Sequence, residues 1–291
     1  MVFGLFVFQW AFLPSFVFAE ETKKNGLYFS IVPKKNVDQQ IKELLPLLQL
    51  LEEKLKRSVS IIRPLSYHSV IEGILSETID FAILGPASYA KTKARDSRVK
   101  AFASFAKKKG FMTPQGSYYY SVLFTLKSSG FGSIEELKGK RIAFTDPEST
   151  SGSVIPNISF SKRIQPSLKE FFGTHIYTGS HDRSIESVIT KDVDAAFVSS
   201  ARIDEAVQKG QIKPELIQIL WRSDPIHRDP FVFSGKVSDV LQNKIQDILL
   251  TSQVRLKPML ENMQMVGIVA VTDKDYQPIH DIIAMQARQV K

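Results

Sequence analysis

The 291-residue sequence predicts an α/β protein of two similar α/β lobes, joined by a two-strand hinge with a ligand cleft between them. Three observations carry this expectation. Short apolar runs alternate with stretches of helical spacing, the pattern of a parallel sheet whose strands are connected by helices. The alternation occurs twice, and the two occurrences match at an offset of 114 residues: Ile71-Glu72 with Ile185-Glu186, Asp80 with Asp194, Ala82 with Ala196. Further β-rich runs lie between the halves, at 118–127, and after the second, at 217–221 and 231–233, where the chain would cross from lobe to lobe.

The elements follow in order. Residues 2–18 carry no charge and are mostly Phe, Leu and Val, and Val17-Phe18-Ala19 meets Glu20-Glu21, which predicts a secretory signal over residues 1–19 cut after Ala19. No Lys or Arg precedes the run, so an uncleaved anchor stays open, although Gln9 and Pro14 interrupt it and a span needs ~20 apolar residues. An exported chain without cysteine would be free in a periplasm. Leu27 to Val32, stopped by Pro33, reads as a strand. Ile41, Leu44, Leu45, Leu48, Leu51 and Leu55 recur at helical spacing over 39–56. Val59 to Ile62 is a second strand, 69–76 a helix, and Phe81 to Leu84 a buried strand closed by Gly85-Pro86. The second half opens on a strand at 140–144 and a helix from Ser149, followed by a helix at 185–189 and a strand at 195–198. The tail predicts helices over 237–252 and 275–290. The expected division is residues 20–118 with 233–291 as a discontinuous first lobe, and 119–232 as the second with both crossings.

Composition excludes several chemistries. The absence of cysteine removes disulfides, thiolate metal sites and cysteine nucleophiles. The five histidines, His68, His175, His181, His227 and His280, form no H-x-x-x-H pair, and no Walker loop or G-x-G-x-x-G is present, so no metal or nucleotide cofactor is implied. A formal charge of +8 favours anionic partners by steering, or serves solubility alone. Lys and Arg are scattered, with Lys107-Lys108-Lys109 the one short run, which argues against nucleic acid.

The stretch that carries chemistry is Asp146-Pro147-Glu148-Ser149-Thr150-Ser151-Gly152, with Pro156 just beyond. Three hydroxyl residues at a strand-to-helix turn combine side-chain donors, unpaired N–H groups and the positive end of the helix dipole, the parts of an anion cradle. One serine would also suffice as an ordinary N-cap.

This stretch resembles the signature of the phosphate/phosphite/phosphonate importer binding proteins, a branch of the type II periplasmic binding proteins. Other segments fit in the same order: 137–144 as the approach strand, Ser66 to Gly73 and Ile79 to Pro86 in the first lobe, Tyr119 to Val122 between lobes, Gly179 to Asp182 and Val193 to Ala196 in the second, and Ser223 to Pro230 at the return crossing. The resemblance implies an extracytoplasmic solute-binding protein, monomeric and not an enzyme, that closes its lobes on a small phosphorus oxyanion (phosphonate, phosphite or phosphate) and hands it to ABC transporter membrane subunits. Carried over residue by residue, the ligand contacts are Tyr67, Tyr119, Ser149, Thr150, Ser151, His181 and Asp229. Read without the resemblance, Tyr67 and Tyr119 fit core aromatics, His181 a surface loop, and Asp229 before Pro230 a turn. A carboxylate at 229 would suit a ligand that keeps a proton on oxygen, since ionised Asp only accepts, and His181 would gain charge beside the anion. Members that take aminoalkyl phosphonates carry an acid soon after the Val-Asp-Ala-Ala strand. Here Phe197 to Arg202 contains none, which argues against an amine-bearing ligand. His227 and Arg228 add charge at the cleft mouth.

Two other classes compete. Ser149 or Ser151 with His181 and Asp229 could form a hydrolase triad, but no G-x-S-x-G elbow surrounds a serine. The same two-lobed fold can also serve as a sensor module that reports a small anion to a membrane partner.

Overall fold

The computed structural model describes residues 26–165 and 167–289; the expected signal segment, residues 1–19, lies outside the described residues. The first half supplies β1 (Leu27–Ile31), α1 (Val37–Leu55), β2 (Val59–Ile61), α2 (Tyr67–Leu75), β3 (Phe81–Ile83), α3 (Pro86–Arg95) and β4 (Lys100–Lys107). The second supplies β5 (Tyr118–Tyr119), β6 (Ser121–Leu126), β7 (Arg141–Phe144), α4 (Leu168–Phe171), β8 (Thr174–Tyr177), α5 (His181–Ile189), β9 (Ala195–Ser199), α6 (Ser200–Gln208) and β10 (Ile217–Arg222). The chain returns through β11 (Ile226–His227) and β12 (Pro230–Phe233) to α7 (Asp239–Thr251), α8 (Gln253–Asn262), β13 (Met265–Ala270) and α9 (Gln277–Gln289).

Two sheets result. The first runs β13-β4-β12-β3-β1-β2 and the second β10-β6-β9-β7-β8. In each, three parallel strands built by helical crossovers are extended by an antiparallel strand: β12 beside β3, and β6 beside β9. β5 and β11 pair antiparallel between the sheets, Ile226 opposite Tyr119 and His227 opposite Tyr118. The sequence reading placed the return to the first lobe at 233. In the structure β12 is already paired with β3 and β4 from Pro230 onward, because the alternation that fits Phe231 and Phe233 to the first core fixes its register there.

The 114-residue repeat is structural. α2 and α5 start at Tyr67 and His181, and each is capped by the preceding serine: Ser66 Oγ accepts from Ser69 N, and Ser180 Oγ from Arg183 N. Asp80 and Asp194 also correspond. Each carboxylate accepts the backbone N–H of the neighbouring parallel strand (Tyr28 N at 2.7 Å, Arg141 N at 2.8 Å), and each backbone N–H donates to that residue's carbonyl. An acid in the helix-to-strand step thus aligns β3 on β1 and β9 on β7.

The carboxyl ends of the parallel strands in both sheets point at one cleft, where ligands of open α/β sheets bind. Ile31 and Ile83 at the ends of β1 and β3, and Ser199 at the end of β9, line it together.

Candidate functional site

The cleft holds a cavity of about 330 Å³. All seven residues singled out from the sequence line it: Tyr67, Tyr119, Ser149, Thr150, Ser151, His181 and Asp229. Tyr67 opens α2, Tyr119 lies on β5, Asp229 sits between β11 and β12, and His181 opens α5. The three hydroxyl residues follow β7, where Ser149 caps a wide, π-type helical segment over Thr150–Val154 and Pro156–Phe160.

Ser149 Oγ accepts from Gly152 N at 3.2 Å, which leaves its proton free to donate. The turn requires glycine at 152, because a Cβ there would stand 2.1 Å from Thr145 Oγ1. Thr150 Oγ1 accepts from Ala87 N at 2.8 Å, at the start of α3 in the other lobe, so its proton is free as well. The N–H groups of Thr150 and Ser151 open the helical segment and lack partners within it. Tyr67 Oη is buried without a hydrogen-bond partner among the described residues, and burial pushes its phenol well above the ordinary range, so it stays a neutral donor.

His181 differs from the sequence expectation that it gains charge. It is buried, and its Nδ1 receives the backbone N–H of Ser199 at 3.3 Å with Thr145 Oγ1 at 3.0 Å. A backbone N–H can only donate, so the imidazole proton sits on Nε2, 3.4 Å from Ser149 Oγ. Burial, reinforced by the charges of Arg202 and Lys34, lowers its pKa to about 3. His181 is therefore a neutral, oriented N–H donor. The triad geometry also fails here: Nδ1 faces Thr145 and Ser199, while the Asp229 carboxylate is bonded to Lys34 Nζ.

Sequence reading missed Lys34, Lys107 and the pairing of Asp229. Lys34 follows β1, and its ion pair with Asp229 already meets the carboxylate's charge, so Asp229 does not depend on a ligand proton for a partner. Lys107 ends β4 and donates to Ala201 O at 3.0 Å. Arg228, expected at the mouth, lines the cavity, and its Nη1 is buried with no partner among the described residues. Among the described residues, six cationic side chains and three carboxylates line the cavity. Among those acids is Glu205, one residue past Asp204, but Lys35 at 3.0 Å, Lys209 at 2.8 Å and Arg202 already hold it. Asp204 instead accepts the N–H groups of Met112 and Thr113. Gly85 and Ser199, at the caps of α3 and α6, also line the cavity. Their separation of 114 residues was the signal available for both. Among the described residues no group of His, Asp and Glu has the number to hold a metal ion.

Contacts tie the lobes across the cleft: Lys91 to Glu148 at 2.6 Å, Ser88 Oγ to Glu148 O at 3.0 Å, Lys35 to Glu205, and His181 N to Lys34 O at 3.2 Å.

Residues 29–276 match the family described as the periplasmic substrate-binding protein of the phosphonate ABC transporter. The chain belongs to this family. The phosphonate-transporter binding proteins include the phosphonates-binding periplasmic protein of Escherichia coli, 26% identical over 277 residues (93% of this chain, 79% of that one). The phosphate-import protein PhnD of Mycolicibacterium smegmatis is 23% identical over 255 residues, covering 81% of this chain and 78% of that one. A tetrathionate sensor histidine kinase of Salmonella typhimurium is 24% identical over 71% of this chain and 36% of its own length. Among solved structures, a binding protein component of an ABC phosphonate transporter from Pseudomonas aeruginosa superposes with a TM-score of 0.80 at 22% identity, covering 91% and 87% of the two chains. PhnD1 of Prochlorococcus marinus, solved with methylphosphonate, gives 0.78 at 18% identity, covering 90% and 98%. These likenesses show the type II periplasmic binding protein fold. The family is extracytoplasmic and consists of binding proteins, not enzymes.

Proposed function

We propose that the chain is exported by cleavage after Ala19, captures a phosphonate-type phosphorus oxyanion between its lobes, and delivers it to an ABC importer as a monomer. The observation that supports this best is the convergence of donors from both lobes on one cavity: the Tyr67 hydroxyl from one side, and the hydroxyls of Ser149 and Thr150 with His181 Nε2–H from the other. Charge-assisted hydrogen bonds of this kind are the strong ones. In this reading Tyr119 and Ser151 complete the cage, Asp229 with Lys34 forms its charged edge, and β5 with β11 is the hinge on which residues 119–229 close against the rest.

A panel of phosphite, methylphosphonate, 2-aminoethylphosphonate, phosphate and sulfate tests it by thermal shift. A ligand at 100 times its Kd adds roughly 2.7 kcal/mol of stability. A shift with a phosphorus oxyanion and none with sulfate is expected; silence across the panel would remove the reading.

The likeness to the tetrathionate sensor kinase favours a second reading, a sensor module that reports the bound anion to a membrane partner. Cross-linking of the liganded protein in its own membranes separates the two: transporter subunits support delivery, a kinase supports sensing.

A further inference from the structure

We infer that the ligand carries, besides its phosphorus group, a second acidic group on an organic substituent, a carboxylate received by Arg228 and Lys107. This rests on the proposed oxyanion cradle and names the class of compound that fills the rest of the cavity.

The inference starts from charge that the protein leaves unmatched. Lys34 is bonded to Asp229; Lys35 to Glu43 at 2.6 Å and to Glu205; Arg202 to Asp182 at 2.5 Å and to Glu205; Lys209 to Glu205. Two cations remain. Lys107 is buried, and among the described residues its ammonium bonds only the Ala201 carbonyl. Arg228 makes no ion pair among the described residues, and its Nη1 is buried without a partner. Its backbone is fixed on both sides, the N–H donating to Ser117 O at 2.8 Å and the carbonyl accepting from Tyr276 Oη at 2.8 Å. The side chain leaves this fixed backbone for the cavity, where its Nη1 is buried. A buried charge without a counter-charge is strongly destabilising, and a ligand that brings the counter-charge relieves it. Burial lowers the pKa of both groups even though the charges of nearby acids, Asp204 and Glu205 for Lys107 and Asp229 and Asp204 for Arg228, pull the other way.

Size points the same way. The cavity of about 330 Å³ is well beyond the size of a single tetrahedral oxyanion. Ile31, Leu44, Ile83, Phe105, Met263 and Met265 give the cavity an apolar part that suits a short carbon chain, beside the amides of Gln39, Gln40, Gln208, Asn262 and Gln264. An amine at the end of that chain would find Glu43, Glu205 and Asp229 already bonded to cations. A carboxylate would find Arg228 and Lys107.

Titration calorimetry of the chain with phosphonoacetate, 3-phosphonopropionate, methylphosphonate and 2-aminoethylphosphonate tests this, on the wild type, Arg228→Gln and Lys107→Gln. The expected result is at least tenfold tighter binding of one carboxylated compound than of methylphosphonate. Either substitution should abolish that advantage while changing methylphosphonate affinity less than threefold. Methylphosphonate binding with no carboxylate advantage would overturn the inference and leave the cradle standing. So would equal loss of both ligands in Arg228→Gln, because the guanidinium would then serve the phosphorus group itself. No binding of any of the four would overturn the cradle as well.

Discussion

Tyr67 and His181 stand 114 residues apart and hold the same place in the two lobes, each the first residue of a helix, each behind a capping serine, and each on the shared cavity. The repeat that builds the two sheets thereby aims one donor from each lobe at the same space. Tyr67 Oη has no partner among the described residues, so Tyr67→Phe should leave the unliganded melting temperature unchanged or raise it. Binding of the oxyanion should weaken by about 1.5–3 kcal/mol, roughly ten- to hundredfold, the value of a hydrogen bond to a charged acceptor. Calorimetry and a melt of the same sample check both halves. A variant that loses stability and keeps affinity would make Tyr67 a core residue only.

The buried imidazole sets a pH dependence. His181 titrates near 3 when folded and near 6.5 when unfolded, so below about 6.5 the unfolded chain takes up a proton that the folded chain refuses. Its contribution to stability is present above that value and is lost as pH falls. Between pH 7 and pH 5 the loss should be about 2 kcal/mol. Denaturant melts of the wild type and His181→Gln across this range should show a slope in the first that is reduced by that amount in the second. Parallel slopes would mean that His181 is protonated in the folded protein.

Much of this was legible in the sequence, and for identifiable reasons. The strands that are buried on both faces, such as β3 and β9, read as unbroken apolar runs, and the hydroxyl turn after β7 announced itself by composition. α3, β8, α8 and β13 did not. α3 is made of small and basic residues with little apolar periodicity, while β8 and β13 lie at sheet edges and expose much of their surface, so that neither pattern nor hydrophobicity marks them. The chemistry of the site divides along the same line. Donors carried by a local motif were visible. The bond between Lys34 and Asp229, 195 residues apart, and the uncompensated charge of Arg228 exist only once β1 and β12 are brought into one sheet.

That bond makes Asp229 a matter of selectivity. With its carboxylate present, a fully ionised oxyanion meets a charge already balanced by Lys34; without it, Lys34 joins Arg228 and Lys107 as a free cation. Asp229→Asn should lower stability by about 1–3 kcal/mol, the range for leaving a buried polar partner unmatched. It should also admit sulfate, with an affinity at least tenfold above the wild type in a thermal-shift titration. If sulfate remains excluded, the hydroxyl cradle rather than Asp229 sets the choice of anion.

Lys107 gives the binding reaction its own pH profile. Burial lowers its pKa to about 8, below the ordinary lysine value, so at neutral pH it is mostly charged and above pH 8 it loses its proton. An anion that it contacts binds the protonated form, so binding raises the pKa and draws a proton from solution. The sign follows: affinity for a carboxylated phosphonate should be greatest below about pH 8 and fall by up to tenfold per unit above it, with a parallel titration of methylphosphonate subtracting the ligand's own second ionisation, which falls in the same region. Proton uptake, read as a buffer-dependent enthalpy in calorimetry at pH 8.5, reports the same event independently. Lys107→Gln should flatten the affinity profile between pH 8 and 9.5 and abolish the proton uptake. A wild-type profile that is already flat over that interval would place Lys107 outside the ligand's reach, bound to Ala201 as a tie between the lobes and nothing more.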